Sequence, residues 1–326
     1  MHEYPPLKVI KVEVAVNKCV PKTGEIAPIH IGFLVFPGFQ PIDLSGPWQA
    51  FSTANEELGQ PLYLLATYGP SADVSTSDGG LRIFVEHSLE TLIPQRLHTV
   101  IVPGGFGVYH AAQDRNIQYW LKSQDLSSIR TCSICTGAFL LASAGLLEGH
   151  LVTTHWRAAE QLRQAFPSLD VADERIFCES GKYWTTAGVT AGIDLALALI
   201  ERDCGPLISQ QVARRLLVYL RRHGDQRQYS QTLRMQDRAG MPFQKLIEQI
   251  EKDLAWSWSV DEMAAVSNMS RRTFQRKFKK CFGVSSVEAL KALRLEKAQL
   301  LMAAGSMSKK EVARQVGLQL IDVPDK

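Results

Sequence analysis

A chain of 326 residues is long for one domain and comfortable for two. With 45% hydrophobic and 21% charged residues it can bury substantial cores, which excludes gross disorder, and no apolar run approaches the roughly 18 residues that a membrane-spanning helix needs. The formal net charge of +3 hides an asymmetry: from Pro206 onward 22 Lys/Arg face 12 Asp/Glu, against 14 and 21 before it, so a polyanionic partner is expected for the C-terminal part alone.

The opening residues, MHEYPPLKVIKVEVAV, lack a basic region followed by an apolar block, and no secretory signal is expected. Val9 to Val16 alternate like a strand but are bracketed by prolines, so residues 1–28 read as an N-terminal extension. From His30 the pattern becomes firm. HIGFLVFPG is a short buried strand ending in a Pro-Gly turn, and WQAFSTANEELG an amphipathic helix closed by Gly59. LYLLATYG, TVIVPGG and IRTCSIC follow as further strands, and GIDLALALIERDCG as a closing helix. Strands without polar alternation, separated by helical stretches, predict a doubly wound parallel sheet covered on both faces, here spanning residues 29–205. Residues 206–240 read as a linker helix followed by a polar linker, and 241–326 as an all-α domain.

In such a sheet, ligands sit at the carboxyl ends of the strands. Cys135 lies there, after the strand IRTCSI and before the helix TGAFLLASAGLL. On such an elbow a thiol faces solvent, the next backbone N–H (Thr136) can donate to an oxyanion, and helix N-terminal amides favour thiolate. Gly104 and Gly105 would let backbone amides approach a ligand. His155, in TTHW, is the candidate base of a Cys–His arrangement. The six cysteines are irregularly spaced, which predicts reduced thiols and a cytoplasmic location. Cys132 and Cys135 form a C-x-x-C without a second Cys or His pair at zinc spacing, so no metal or other cofactor is expected.

The C-terminal part contains SVDEMAAVSNMSRRTFQRKFKKCFG, with the grammar of a helix-turn-helix. Ser259 caps a helix carrying Met263, Ala264 and Val266; SNMS turns the chain, and Ser270 caps the next helix. There Phe274, Phe278 and Phe282 recur every four residues as a core stripe, leaving Arg271, Arg272, Gln275, Arg276, Lys279 and Lys280 on the other face. Arg and Gln suit base edges and Lys suits phosphates, so this face is the expected DNA-binding surface.

Four stretches in order, FPGFQPIDLSGPWQAF, VIVPGG, CTGAFLLASAGLLEGHLVTTHW and TTAGVTAGIDLALALIERDCG, resemble the ThiJ/PfpI superfamily with its class I glutamine amidotransferase-like, flavodoxin-like fold. The tail, with RLEKAQLLM, resembles the AraC/XylS family, and the combination is similar to the GlxA-type transcriptional regulators. The resemblance implies that Cys135 is the elbow cysteine, with Asp43, from the loop after the first strand, against its thiol. It further implies base contacts from Arg272, Gln275 and Arg276, and a second helix-turn-helix after a joining helix. That second unit starts as SMSKKEVARQVGL, but QLIDVPDK stands where an aromatic-studded basic helix is expected. The domain therefore reads as C-terminally incomplete, with a lost groove contact and an apolar face from Val312 to Leu318 left uncovered.

The expected function is ligand-responsive transcriptional regulation, with double-stranded promoter DNA, an unidentified small metabolite and a second copy of the chain as partners, and no membrane. The alternatives are a cysteine enzyme of the ThiJ/PfpI class, hydratase- or amidase-like, with an accessory tail, and a regulator with weakened DNA binding.

Overall fold

The computed structural model describes residues 27–77, 79–90, 96–172, 174–218, 222, 224, 228, 235, 241–304 and 307–324. All but the last two residues of the expected N-terminal extension lie outside that set, as does most of the polar linker.

The first half runs β1 (Ile29–Leu34), α1 (Pro41–Leu58), β2 (Tyr63–Gly69), β3 (Asp73–Ser75), β4 (Arg82–Phe84), β5 (His87–Ser88), β6 (Thr99–Val102), α2 (Val108–Ala111), α3 (Arg115–Ser127) and β7 (Arg130–Ile134). It continues through α4 (Gly137–Ser143), β8 (Leu151–Val152), α5 (Ala159–Ala165), β9 (Asp170–Val171), β10 (Phe177–Ser180), β11 (Tyr183–Thr186), α6 (Ala191–Cys204) and α7 (Pro206–Arg215). The main sheet has the order β10-β11-β7-β6-β1-β2-β5, parallel throughout except for the β10–β11 hairpin at its edge. The doubly wound fold is as expected. β6 and β7 are buried at every position, which is why they carry no polar alternation.

Two local features differ from the sequence reading. Helix α1 begins at Pro41, not at Trp48. Pro41 sits in the first turn, where its missing N–H is harmless, while Pro47 inside the helix removes the donor that would meet the Asp43 carbonyl. Asp43 is therefore a helical first-turn residue rather than a loop residue. The hairpin β10–β11, closed by a left-handed Gly181, was not anticipated as a pair of strands.

Helix α7, expected as a linker helix, belongs to the α/β core. Val212 and Ala213 are buried in it, and the Ser209 hydroxyl donates to the Leu197 carbonyl of α6 at 2.8 Å. At the amino ends of the strands a buried bidentate pair ties the sheet to α6: Arg130 donates to both Asp203 oxygens at 2.9 Å and to Thr99 Oγ1 at 3.1 Å. Full hydrogen bonding of both partners is what makes such burial tolerable.

The C-terminal half is helical: Met241–Lys252, Val260–Val266, Arg271–Phe282, Ser286–Ala304 and Lys309–Val316, then a 3-10 turn Leu320–Asp322. Phe243 from the first of these packs on Phe274, Phe278 and Phe282 with ring centroids 6.1, 5.4 and 5.5 Å away. The aromatic stripe is thus the interior of this domain.

Candidate functional site

The carboxyl ends of β1, β6 and β7 meet where the sheet order reverses direction, the position at which open α/β sheets form a crevice. Cys135 follows β7 with φ +55, a left-handed conformation that non-glycine residues seldom adopt and that costs on the order of 1–3 kcal/mol. Close packing holds it there. A Cβ on Gly188 would lie 2.2 Å from the Cys135 Cβ, and one on Gly104 would lie 2.6 Å from the Thr136 nitrogen. These two glycines let neighbouring loops touch the elbow backbone directly.

Asp43 is fully buried beside the thiol. Its two oxygens accept from the Gly104 N–H at 3.0 Å and the Val189 N–H at 2.9 Å, so one carboxyl group pins the loop after β6 to the turn before α6. Burial raises its pKa to about 6, against the lowering effect of those two hydrogen bonds. The Gly105 N–H donates to Thr136 Oγ1 at 3.0 Å. Both glycine amides that the sequence offered to a ligand are therefore committed to protein acceptors.

The thiol departs from expectation in sign. Helix amides were expected to favour thiolate, yet burial, helped by the Asp43 charge, pushes the Cys135 pKa up to about 12. Hydrogen bonds from Thr136 oppose this and are outweighed. The group at the elbow is a neutral S–H at neutral pH.

His155 is half-buried, stacked on Trp156, with Nδ1 accepting from the Arg157 N–H at 3.3 Å. Burial and then the Arg157 charge hold its pKa below the ordinary value. The electrostatic neighbours of the thiol are Asp43 and Thr136, not this imidazole. The structure thus brings together Cys135, Asp43, Thr136, Gly104 and Gly105, while the contacts of His155 are to Trp156 and Arg157. Two residues went unnoticed in the sequence. Tyr109, whose hydroxyl donates to Gln161 Oε1 at 3.0 Å, is held above its ordinary pKa by burial and by its nearness to Cys135, whose ionised form would repel a phenolate. Gly188 was visible only as the G of TTAGVTAG. Among the described residues no group of His, Cys, Asp and Glu could hold a metal ion.

In the C-terminal half, Ser259 and Glu262 form a reciprocal capping box. Asn268 takes φ +53 to make the turn, and Ser270 caps the helix Arg271–Phe282 by accepting from the Thr273 N–H. Along this helix Phe274, Phe278 and Phe282 are buried, while Arg271, Arg272, Gln275, Arg276, Lys279 and Lys280 are exposed. Arg271 pairs with Asp261 at 3.0 Å, which directs it back to the preceding helix. Gln275, Arg272 and Arg276 occupy the outward face.

The apolar face of the second unit, expected to lie uncovered, is closed, though by a three-residue turn and not by a basic helix. Ser308 and Glu311 repeat the capping box, and in that alignment Met263 corresponds to Val312, Asn268 to the left-handed Gly317, and Phe274 to Val323. Val323 is 2% exposed and closes the face of Val312 and Val316, both fully buried. Lys291 holds the turn through Asp322 at 3.0 Å. The apolar face is covered by the short turn, but Leu320 and Ile321 stand where the first unit has Arg271 and Arg272.

These features agree with relatives of known name. The regulator GbdR of Pseudomonas aeruginosa, described as an HTH-type transcriptional regulator, is 29% identical over 89% of this chain and 78% of its own. An isonitrile hydratase of Pseudomonas putida is 32% identical over 56% of this chain and 76% of its own. A solved ThiJ/PfpI family protein from Pseudomonas syringae superposes with a TM-score of 0.54 at 22% identity, covering 78% of this chain and 99% of that one, a likeness of fold. A helix-turn-helix domain family matches residues 263–319. Residues 30–202 match the DJ-1/PfpI family, and the chain belongs to it.

Proposed function

We propose that this chain is a sequence-specific transcriptional regulator in which the crevice at Cys135 and Asp43 binds a small metabolite and the helix Arg271–Phe282 reads promoter DNA. The observation that carries the reading is the division of that helix, with three buried phenylalanines on one side and Arg272, Gln275, Arg276, Lys279 and Lys280 exposed on the other. A surface charge run alone would not come with a capping box, a left-handed turn residue and a fixed aromatic core. GbdR, a relative that spans both halves, is named a regulator, whereas the hydratase matches only 56% of this chain.

A neutral thiol supports binding over turnover. A protonated S–H is a weak nucleophile, and activation would need an adjacent base. Asp43 faces two amide donors and His155 is engaged elsewhere. The half-buried S–H, beside the Thr136 and Tyr109 hydroxyls that bond to Gly105 and Gln161, would be the group offered to a ligand. A homodimer would place two reading helices on one operator, as paired half-sites require.

The test is selection of duplexes from a random pool by the full chain. One motif is expected to enrich, with affinity that falls steeply with added salt. Arg276→Ala should weaken the selected duplex by about tenfold or more. A chain that binds the enriched and a scrambled duplex equally does not read sequence, and the proposal fails.

A further inference from the structure

The polar connector between the two halves looks, as a sequence, like a solvated spacer. Its described residues are instead bonded to the loops that frame the elbow. The Gln228 N–H donates to the Glu174 carbonyl at 2.8 Å. Its side-chain amide donates to Thr153 Oγ1 at 3.1 Å and to the Thr154 carbonyl at 2.8 Å, and accepts from the Trp156 N–H at 3.0 Å. Thr154, in turn, donates its hydroxyl to the Cys135 carbonyl at 2.8 Å. One glutamine therefore closes a chain of hydrogen bonds that ends on the strained elbow residue.

Arg222 makes a second attachment on the other side of the crevice. Its backbone N–H donates to Asp194 Oδ1 at 3.0 Å, its Nε to Oδ2 at 2.9 Å, and its Nη2 to Oδ2 and Thr190 Oγ1 at 2.6 and 2.9 Å. Thr190 adjoins Val189, whose N–H holds Asp43, and Gly188, which presses on Cys135. Between the two attachments, the Gly224 carbonyl accepts from the Phe177 N–H at 3.3 Å, and a Cβ on Gly224 would lie 2.6 Å from the Phe177 oxygen. Beyond them Met235 is buried in the core that holds Phe243, Phe274 and Phe278.

We infer that the connector through Arg222, Gly224 and Gln228 is a strap that couples the elbow crevice to the DNA-binding helices, an inference that rests on the regulatory reading above. The surface it fits is formed by residues 153–156, 174–177 and 190–194, and its partner is this segment of the same chain. The described contacts are hydrogen bonds and an ion pair with little apolar burial, the kind of attachment that opens locally at modest free energy. A ligand that shifts Thr154 or the 188–190 turn alters the donors and acceptors that Gln228 and Arg222 meet. By linkage, occupation of the DNA helices must act back on the same loops.

Hydrogen–deuterium exchange on the full chain tests this, read on peptides covering residues 150–157 and 188–194, with and without the duplex selected above. In the wild type the duplex is expected to change exchange in those peptides by about fivefold or more. In Gln228→Ala the peptide 150–157 should exchange about tenfold faster without DNA and should no longer respond to the duplex. An unresponsive wild type overturns the inference, and so does a variant that responds as the wild type does. If no duplex is selected the regulatory reading fails, and unchanged exchange in Gln228→Ala would then overturn the strap separately. Should Gln228→Ala fail to fold, Gln228→Glu keeps the shape while losing both donated hydrogen bonds and serves in its place.

Discussion

Replacing Asp43 with asparagine separates burial from hydrogen bonding at the centre of the crevice. The carboxyl has no exposure, and its pKa rises from the ordinary 3.8 to about 6. Between those values the folded state holds a proton that the unfolded state releases, so stability falls as pH rises through this window. Each pH unit is worth about 1.4 kcal/mol, giving a total near 3 kcal/mol, with no further change above about pH 7. The substituted amide does not titrate, but one end of it must face a backbone N–H, a donor–donor conflict worth about 1–3 kcal/mol. Asp43→Asn should therefore be clearly less stable than the wild type near pH 4 and nearly its equal at pH 7. Urea denaturation followed by tryptophan fluorescence measures this as the difference between the two proteins, in which the other titrating groups cancel. The difference should shrink by about 3 kcal/mol from pH 4 to 7. Loss of the neighbouring charge should also lower the Cys135 thiol, so iodoacetamide should label it faster in the variant. A pH-independent stability difference would refute the assignment of a raised carboxyl.

Three substitutions probe packing and backbone conformation. Gly188→Ala places a methyl 2.2 Å from the Cys135 Cβ at φ +92 and should cost about 2–4 kcal/mol, read as a lowered melting temperature. Gly59→Ala, at φ +68 with open space around it, should cost only about 1 kcal/mol in the same assay. In the other half, Phe278→Ala empties the centre of the aromatic stripe and should cost about 3–5 kcal/mol, abolishing DNA binding through loss of helical circular dichroism in the C-terminal half.

The strands β1, β6 and β7 were legible because burial on both faces writes itself as an unbroken apolar run, and the elbow followed from where β7 stops. The stripe Phe274, Phe278, Phe282 was legible for the same reason, as a period matched to a helix. Other features leave no such mark. Gly46-Pro47 resembles a helix breaker, and only the fold shows that α1 runs through it. The sign of the Cys135 shift depends on how far the loops from Gly104 and Gly188 enclose it, a distance no spacing encodes. Gln228 is polar and unperiodic, as solvated residues are, yet its partners are backbone and hydroxyl groups remote in sequence. Val323 closes the second helix-turn-helix unit from a stretch whose polarity and proline suggested nothing to bury.

The raised thiol at the elbow has one more consequence. Peroxides oxidise thiolates rather than thiols, and a group whose pKa is pushed up to about 12 is held in its protonated form at neutral pH. Cys135 is therefore kept from the first step of the sulfenic-to-sulfonic ladder by the same enclosure that keeps it from attacking a carbonyl. On the proposed metabolite-binding reading, the same enclosure would keep an oxidant from being registered at the crevice as if it were a ligand.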